Sequence, residues 1–252
     1  MKKLILSLFL IILLFSNQEV NATLVVPALK ANKIGNSLTL TGSFKTAKTS
    51  IKRTSYSSAF TYTYGTNNTQ FLTFGNLTYG DVDDKKYLDK HLIHTRYIQY
   101  DFFNEMHLET FLQTEQNDIA LVSERTLGGV GISHIFGKKN PNFTHHILAG
   151  IMLENEKHLL DGSLDRKNTR FTFSNQLEAS VFENSKVTFI NYIQPKASSL
   201  KNMRFIADLS ISVPLSSNLS LSVGGNYRKY TEAFEGIPEN THSFSTSFTY
   251  SF

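Results

Sequence analysis

The chain has 252 residues, with 25 Lys+Arg against 21 Asp+Glu and a mean hydropathy of −0.19. The absence of cysteine excludes disulfides, thiol nucleophiles, cysteine-based metal sites and a lipid-attachment cysteine. A net charge of +4 spread along the chain makes no case for nucleic acid, and no stretch after the first fifteen residues approaches the ~20 apolar residues of a spanning helix.

The first element is a leader. Lys2 and Lys3 precede the apolar run 4–15, and polar residues then lead to the small-residue pattern Val20-Asn21-Ala22. The apolar run is too short to cross a bilayer, so residues 1–22 are expected to be a cleaved signal peptide. One domain, residues 23–252, follows.

From there the dominant period is two, which no helix fits. Leu38, Leu40 and Phe44 open the series, and Tyr56, Phe60, Tyr62 and Tyr64 continue it. Segments near 70–80 and 91–100 come next, with mixed faces. Met106, Leu108 and Leu112 oppose His107, Glu109, Gln113 and Glu115. Strands near 124–136 and 143–154 precede one in which Phe171, Phe173, Leu177, Ala179 and Val181 oppose Arg170, Thr172, Ser174, Gln176 and Glu178. After a segment near 186–194, Phe205, Ala207, Leu209, Ile211 and Val213 oppose Arg204, Asp208, Ser210 and Ser212. Leu219, Leu221 and Val223 alternate with serines. The last strand sets Phe244, Thr246, Phe248, Tyr250 and Phe252 against small hydroxyl residues.

The pattern predicts an all-β fold: an antiparallel transmembrane β-barrel of about twelve strands. The connections point the same way. Short turns at 65–68, 101–105, 137–142, 183–185 and 214–218 alternate with longer polar segments at 46–53, 81–90, 116–123, 155–168, 195–201 and 231–241. Short periplasmic turns and longer external loops are the outer-membrane arrangement.

Alternation alone leaves open whether the apolar face meets lipid or a core. The terminal aromatics Phe248, Tyr250 and Phe252 resemble the C-terminal assembly signal of outer-membrane barrels, which the β-barrel assembly machinery reads. With the apolar face outward, the candidate lumen residues are Glu109, Arg125, Arg170, Glu178, Arg204 and Asp208. These charges either line a water-filled pore or pair across the lumen and close it. A twelve-strand barrel is intermediate between filled eight-strand barrels and wide porins, so size permits both.

Several stretches carry a family resemblance. They are Arg96-Tyr97-Ile98-Gln99-Tyr100-Asp101-Phe102, residues 111–118, and Glu124-Arg125-Thr126-Leu127-Gly128-Gly129-Val130-Gly131. In the final third they are Val213-Pro214-Leu215, Leu219-Ser220-Leu221 and residues 227–230. Together these resemble the YdiY-like (salt-stress-induced) outer-membrane protein family, a domain family of uncharacterised molecular function. The resemblance implies location and fold, and names no substrate. The chain departs from the family pattern after the first strand, where Gly42 stands without a neighbouring Asn.

Catalytic and metal patterns are weak. Gly-x-Ser-x-Gly is absent, and serines are abundant as small lumen-facing residues. Asp81, Asp83 and Asp84 with His91 and His94 form the one Asp/His group near a rim, better explained as a solvated loop. His145 and His146 would point to opposite faces of a strand and so cannot chelate one ion together, and His158 stands alone. The glycines at 128, 129 and 131 lack a following helix and the full spacing of a phosphate loop, and glycines in a barrel strand relieve crowding.

The expectation is therefore an outer-membrane barrel of structural or porin-like type, passing small solutes or supporting the envelope, with no cofactor and no enzymatic activity. The alternatives are a barrel enzyme acting on lipid or peptide at the rim, and a surface interaction or adhesion protein working through loops such as 155–168. Its partners would be outer-membrane lipid and the assembly machinery. Oligomeric state is left open.

Overall fold

The computed structural model describes residues 34–48, 52–82, 85–138, 140, 142–182 and 185–251. The expected signal peptide and Phe252 lie outside the described residues. Twelve strands follow in chain order. They are β1 (Gly35–Lys48), β2 (Lys52–Gly65), β3 (Thr69–Val82), β4 (Lys85–Phe103), β5 (Met106–Asn117) and β6 (Val122–Phe136). Then come β7 (Phe143–His158), β8 (Arg166–Phe182), β9 (Ser185–Lys196), β10 (Ser199–Pro214), β11 (Leu219–Tyr230) and β12 (Asn240–Ser251).

Each strand pairs antiparallel with its sequence neighbours, and β12 returns to β1 to close a barrel. Closure matters because an open edge inside lipid would leave backbone N–H and C=O groups without partners. The seam is made by Thr39↔Ser251, Leu40↔Tyr250 and Thr41↔Thr249. Tyr250 thus belongs to the last strand and to its closure, and Phe248 pairs with Leu221 on β11. Following the register once round the wall, from Leu40 to Phe60, Gly75, Ile93 and onward, displaces the path by about sixteen residues. For twelve strands that corresponds to a tilt of roughly 45°.

The strands run longer than the 9–11 residues needed to cross hydrocarbon, and this corrects the expected loops. The polar segments at 46–53, 81–90 and 195–201 belong largely to strand ends, and β3 passes to β4 across residues 83–84 alone. Past the lipid boundary both faces of a strand meet water. Lys85 and Lys86 then stay in the ladder, paired with Val82 and Asp81, where the sequence has no clean alternation to mark a strand. The loop-length alternation is correspondingly weaker. Its clear long members are 159–165 and 231–239, at the end opposite the turns 104–105 and 215–218. In the 104–105 turn both Asn104 (φ 45) and Glu105 (φ 63) take left-handed backbone, as a two-residue hairpin of right-handed twist requires.

The outer surface is apolar. Leu112 and Leu153 are each 67% exposed, and Leu77, Ile93, Phe173 and Leu209 share that face. A belt of this kind on a water-soluble monomer would drive association, whereas in a bilayer it is the lipid contact. Among the described residues no helix is long and apolar enough to cross a membrane.

Candidate functional site

The lumen has two unlike halves. Along the described parts of β1 and β2, and toward the turn ends of β10 and β11, the inward positions are small and partly exposed: Thr39, Ser57, Thr61, Thr63, Ser210 and Ser222. Toward β3–β9 they are large and buried. The difference follows from side-chain size. A serine wall cannot reach the barrel axis, whereas Arg, Glu, Tyr and Phe can reach it and beyond.

The filled half contains an apolar cluster formed by Leu72 and Phe74 of β3, Leu92, Ile98 and Tyr100 of β4, Ile135 of β6, and Ile190 and Tyr192 of β9. β4 and β9 lie on well-separated parts of the wall, so these side chains meet across the interior. Tyr100 donates to Gln70 Oε1 at 2.5 Å, which satisfies its hydroxyl inside this dry region. A second cluster, Phe111, Leu127 and Met152, lies beside it. The mixed faces of residues 70–80 and 91–100 now have their reason. Phe71, Leu77 and Tyr79 face out while Leu72 and Phe74 face in, so both faces of β3 are apolar.

Charged groups occupy the rest of the filled half. Glu109 of β5 is fully buried; one carboxylate oxygen lies 2.6 Å from His146 Nε2 of β7 and the other 3.4 Å from Arg96 of β4. Nearer the long-loop end, Glu154 of β7 takes three guanidiniums at once. Arg125 Nε donates at 2.6 Å, Arg170 Nε at 3.0 Å, and Arg204 also donates to it. Arg204 Nη2 reaches Glu156 at 2.8 Å, and Arg125 Nη1 reaches Glu115 at 3.2 Å. Arg170 completes its set on the Gln194 carbonyl and Asn202 Oδ1. Arg204 comes from β10 and Glu154 from β7, two strands intervening, so this bond crosses open lumen rather than running along the wall.

The six charges singled out from sequence all take inward positions, but they do not form one site. Arg125, Arg170 and Arg204 converge on Glu154. Glu109 belongs to the separate His146–Arg96 group. Glu178 pairs with Lys186 at 2.7 Å near the turn end of β8. Asp208 accepts from Asn226 Nδ2 at 2.8 Å on the thinly filled side. Sequence reasoning missed Glu154 and Glu156 as site residues. They alternate with Leu153 and Asn155 at the end of β7, where polarity suggested the start of a loop.

Above the arginine–glutamate network sits a cavity of about 40 Å³, lined among others by Glu115, Arg125, Arg204, Arg228, Tyr230 and Phe234. Loop 231–239 folds over it. Thr231 anchors one end through Met203 N at 2.8 Å, and Tyr230 N donates to Glu239 O at 2.7 Å across its neck. Between these ties Phe234 turns inward and is 5% exposed. Arg166 lies 3.9 Å over its ring and donates to Glu232 O at 2.7 Å, while His158 meets the ring edge-on. In the neighbouring loop the Asp161 carboxylate caps residues 162–164. Accepting Ser163 N at 2.9 Å holds it below the usual aspartate range.

The other chemistry-bearing residues are dispersed. His94 is buried in the lumen against Gln113, and His91 lies on the opposite face of β4, so the two histidines do not share a site; Asp83 and Asp84 lie outside the described residues. His145 bonds Asn175 and His146 bonds Glu109, on opposite faces of β7. His158 accepts from Leu160 and Asp161 backbone N–H in its own loop. No group of three metal-type ligands forms among the described residues. The glycines of β6 are packing positions. A Cβ on Gly129 would lie 2.4 Å from the Phe111 ring, and one on Gly131 would lie 2.8 Å from the Ala149 carbonyl oxygen.

Residues 39–252 match the model of a family described as "Protein of unknown function, DUF481". No curated protein matches the chain. Among solved structures, the NanC porin is similar over 86% of this chain and 100% of its own, with a TM-score of 0.53 at 7% identity. The KdgM porin in complex with disordered oligogalacturonate covers 86% and 99%, with a TM-score of 0.49 at 8% identity. The translocator domain of the autotransporter NalP from Neisseria meningitidis covers 89% and 91%, with a TM-score of 0.48 at 11% identity. The likeness to the first is one of fold: this chain has the closed β-barrel of outer-membrane proteins.

Proposed function

We propose that this chain, which belongs to the DUF481 family, is an outer-membrane barrel that admits small polar solutes through a narrow, off-centre passage along its hydroxyl-rich wall. The observation that carries the reading is the division of the lumen. Inward side chains of β3–β9 are packed out of solvent, while Thr39, Thr61, Ser210 and Ser222 opposite them keep access to water. The exposed apolar belt supports a bilayer location, and the closed antiparallel topology leaves no strand edge inside it.

A rim enzyme is the weaker reading. The Glu109–His146 pair has the residue types of an acid–base couple, but its carboxylate is fully buried beneath apolar and charged packing. A catalytic base must come within hydrogen-bond reach of its substrate. The pair serves instead to neutralise Arg96 inside the wall.

Planar-bilayer recording on refolded protein tests the passage. Discrete conductance steps are expected, well below those of an unobstructed twelve-strand lumen. A uniformly silent bilayer containing heat-modifiable, folded barrel would overturn solute passage and leave a structural envelope protein.

A further inference from the structure

We infer that the cavity beneath loop 231–239 is a binding site for a small oxyanion, a carboxylate or phosphate group, held by Arg228. The inference rests on the barrel being open to solutes from the loop side, and it adds the chemical class that the passage selects.

Arg228 stands near the end of β11 and its side chain points inward, 5% exposed. Neither its Nε nor its Nη2 has a hydrogen-bond partner in the protein. These two nitrogens form one edge of the guanidinium, the fork whose parallel N–H groups match two oxygens of a carboxylate or phosphate. The other arginines of this region show what such an edge does when a protein carboxylate is at hand. Arg204 divides its donors between Glu154 and Glu156, Arg125 divides its donors between Glu154 and Glu115, and Arg170 Nε is on Glu154. The three glutamates are therefore committed elsewhere. Asp208, the remaining inward carboxylate near Arg228, accepts from Asn226.

A buried donor edge without an acceptor is costly, and proteins rarely keep one without reason. Here Arg228 lines a cavity of about 40 Å³, with the edge itself buried beside it. At ~10–15 Å³ per water, that is room for about three or four waters or for the oxygens of one oxyanion. The cavity is lined by Arg125, Arg166, Arg204 and Arg228 against Glu115, Glu156 and Glu232, and Lys90, also buried, lies within electrostatic reach of Arg228, so the balance of charge around it is positive. Tyr230 and Phe234 line the sides, and loop 231–239 covers part of the cavity. Removing competing water strengthens each charge-assisted bond.

Isothermal titration of sodium phosphate and, separately, sodium acetate into detergent-folded protein in chloride buffer tests the assignment. Saturable binding is expected for the wild type. Arg228→Gln should weaken it at least tenfold, and Arg228→Lys, which keeps the charge but loses the fork, should fall between them. Binding of both ions identifies a carboxylated solute class, and phosphate binding alone identifies a phosphorylated one. Either result supports the site. Equal heats for wild type and Arg228→Gln would overturn it, leaving a hydrated cavity. Arg228→Lys keeps the comparison usable should the glutamine variant fail to fold. The readout needs no conductance. Anion binding in a silent barrel would sink the passage but keep the site, and a conducting barrel that binds neither ion would sink the site alone.

Discussion

Glu154 is the residue on which the filled half of the lumen depends most heavily. Its carboxylate accepts from Arg125, Arg170 and Arg204, and its side chain has no solvent access. Glu154→Gln removes the negative charge and presents an amide N–H₂ to three cations that need acceptors. Breaking a buried ion pair by removing one partner costs ~3–5 kcal/mol, because the partner stays buried without compensation. Glu115 and Glu156 remain beside Arg125 and Arg204, which limits the loss, whereas three stranded guanidiniums rather than one enlarge it. The expected cost is ~3–5 kcal/mol, read from urea unfolding in lipid vesicles. Glu124→Gln is the internal control: its pair with Lys157 is half-exposed and screened by water, so its loss should leave the unfolding midpoint nearly unchanged. Combining Glu154→Gln with Arg204→Met removes a surplus cation, and the double variant should be more stable than the two single losses add up to. Equal costs for Glu154→Gln and Glu124→Gln would refute the reasoning and show that water reaches the network.

The two faces of β10 give a second expectation: Leu209→Arg, on the lipid side, should cost ~2–4 kcal/mol if it sits near the midplane, and Asp208→Asn much less. Urea unfolding in vesicles reads both, and a reversed order would invert the wall. Gly129→Ala should destabilise by ~1–3 kcal/mol through overpacking against Phe111 and the Ile151 carbonyl oxygen. Phe111→Leu introduced alongside it should recover part of that loss in the same unfolding measurement; a fully additive penalty would show that the carbonyl, rather than the ring, sets the limit.

The wall of this barrel was legible from sequence because the lipid face and its period follow from one rule: outward residues have no water. Leu209 beside Asp208, and Phe171 and Phe173 beside Arg170 and Thr172, obey it strictly. The lumen obeys no comparable rule. An inward position is satisfied by water, by a partner across the interior or by an apolar neighbour, so Leu92, Ile98 and Ile135 blurred the alternation wherever the interior is dry. Partnership was also out of reach. Arg204 and Glu154 are fifty residues apart, and the two strands between theirs decide whether they meet. Loop lengths misled for a further reason: polarity marks where lipid ends, and a strand need not end there.

These observations join the wall to its use. A barrel of twelve steeply tilted strands encloses more space than one layer of serine and threonine can fill, and a lumen lined throughout by such residues would be a wide, indifferent pore. Here seven consecutive strands contribute large side chains, while the described parts of β1 and β2 and the turn ends of β10 and β11 contribute small ones. The large ones hold one another by charge and apolar contact, so their positions are fixed without the opposite wall. That leaves the opposite wall free to stay wet. The buried Nε–Nη2 edge of Arg228, without a protein acceptor, then lies over the paired network, under a loop pinned by Phe234. In such a lumen selectivity is decided at the mouth, by what Arg228 holds, and the filled half below sets how large a solute can follow.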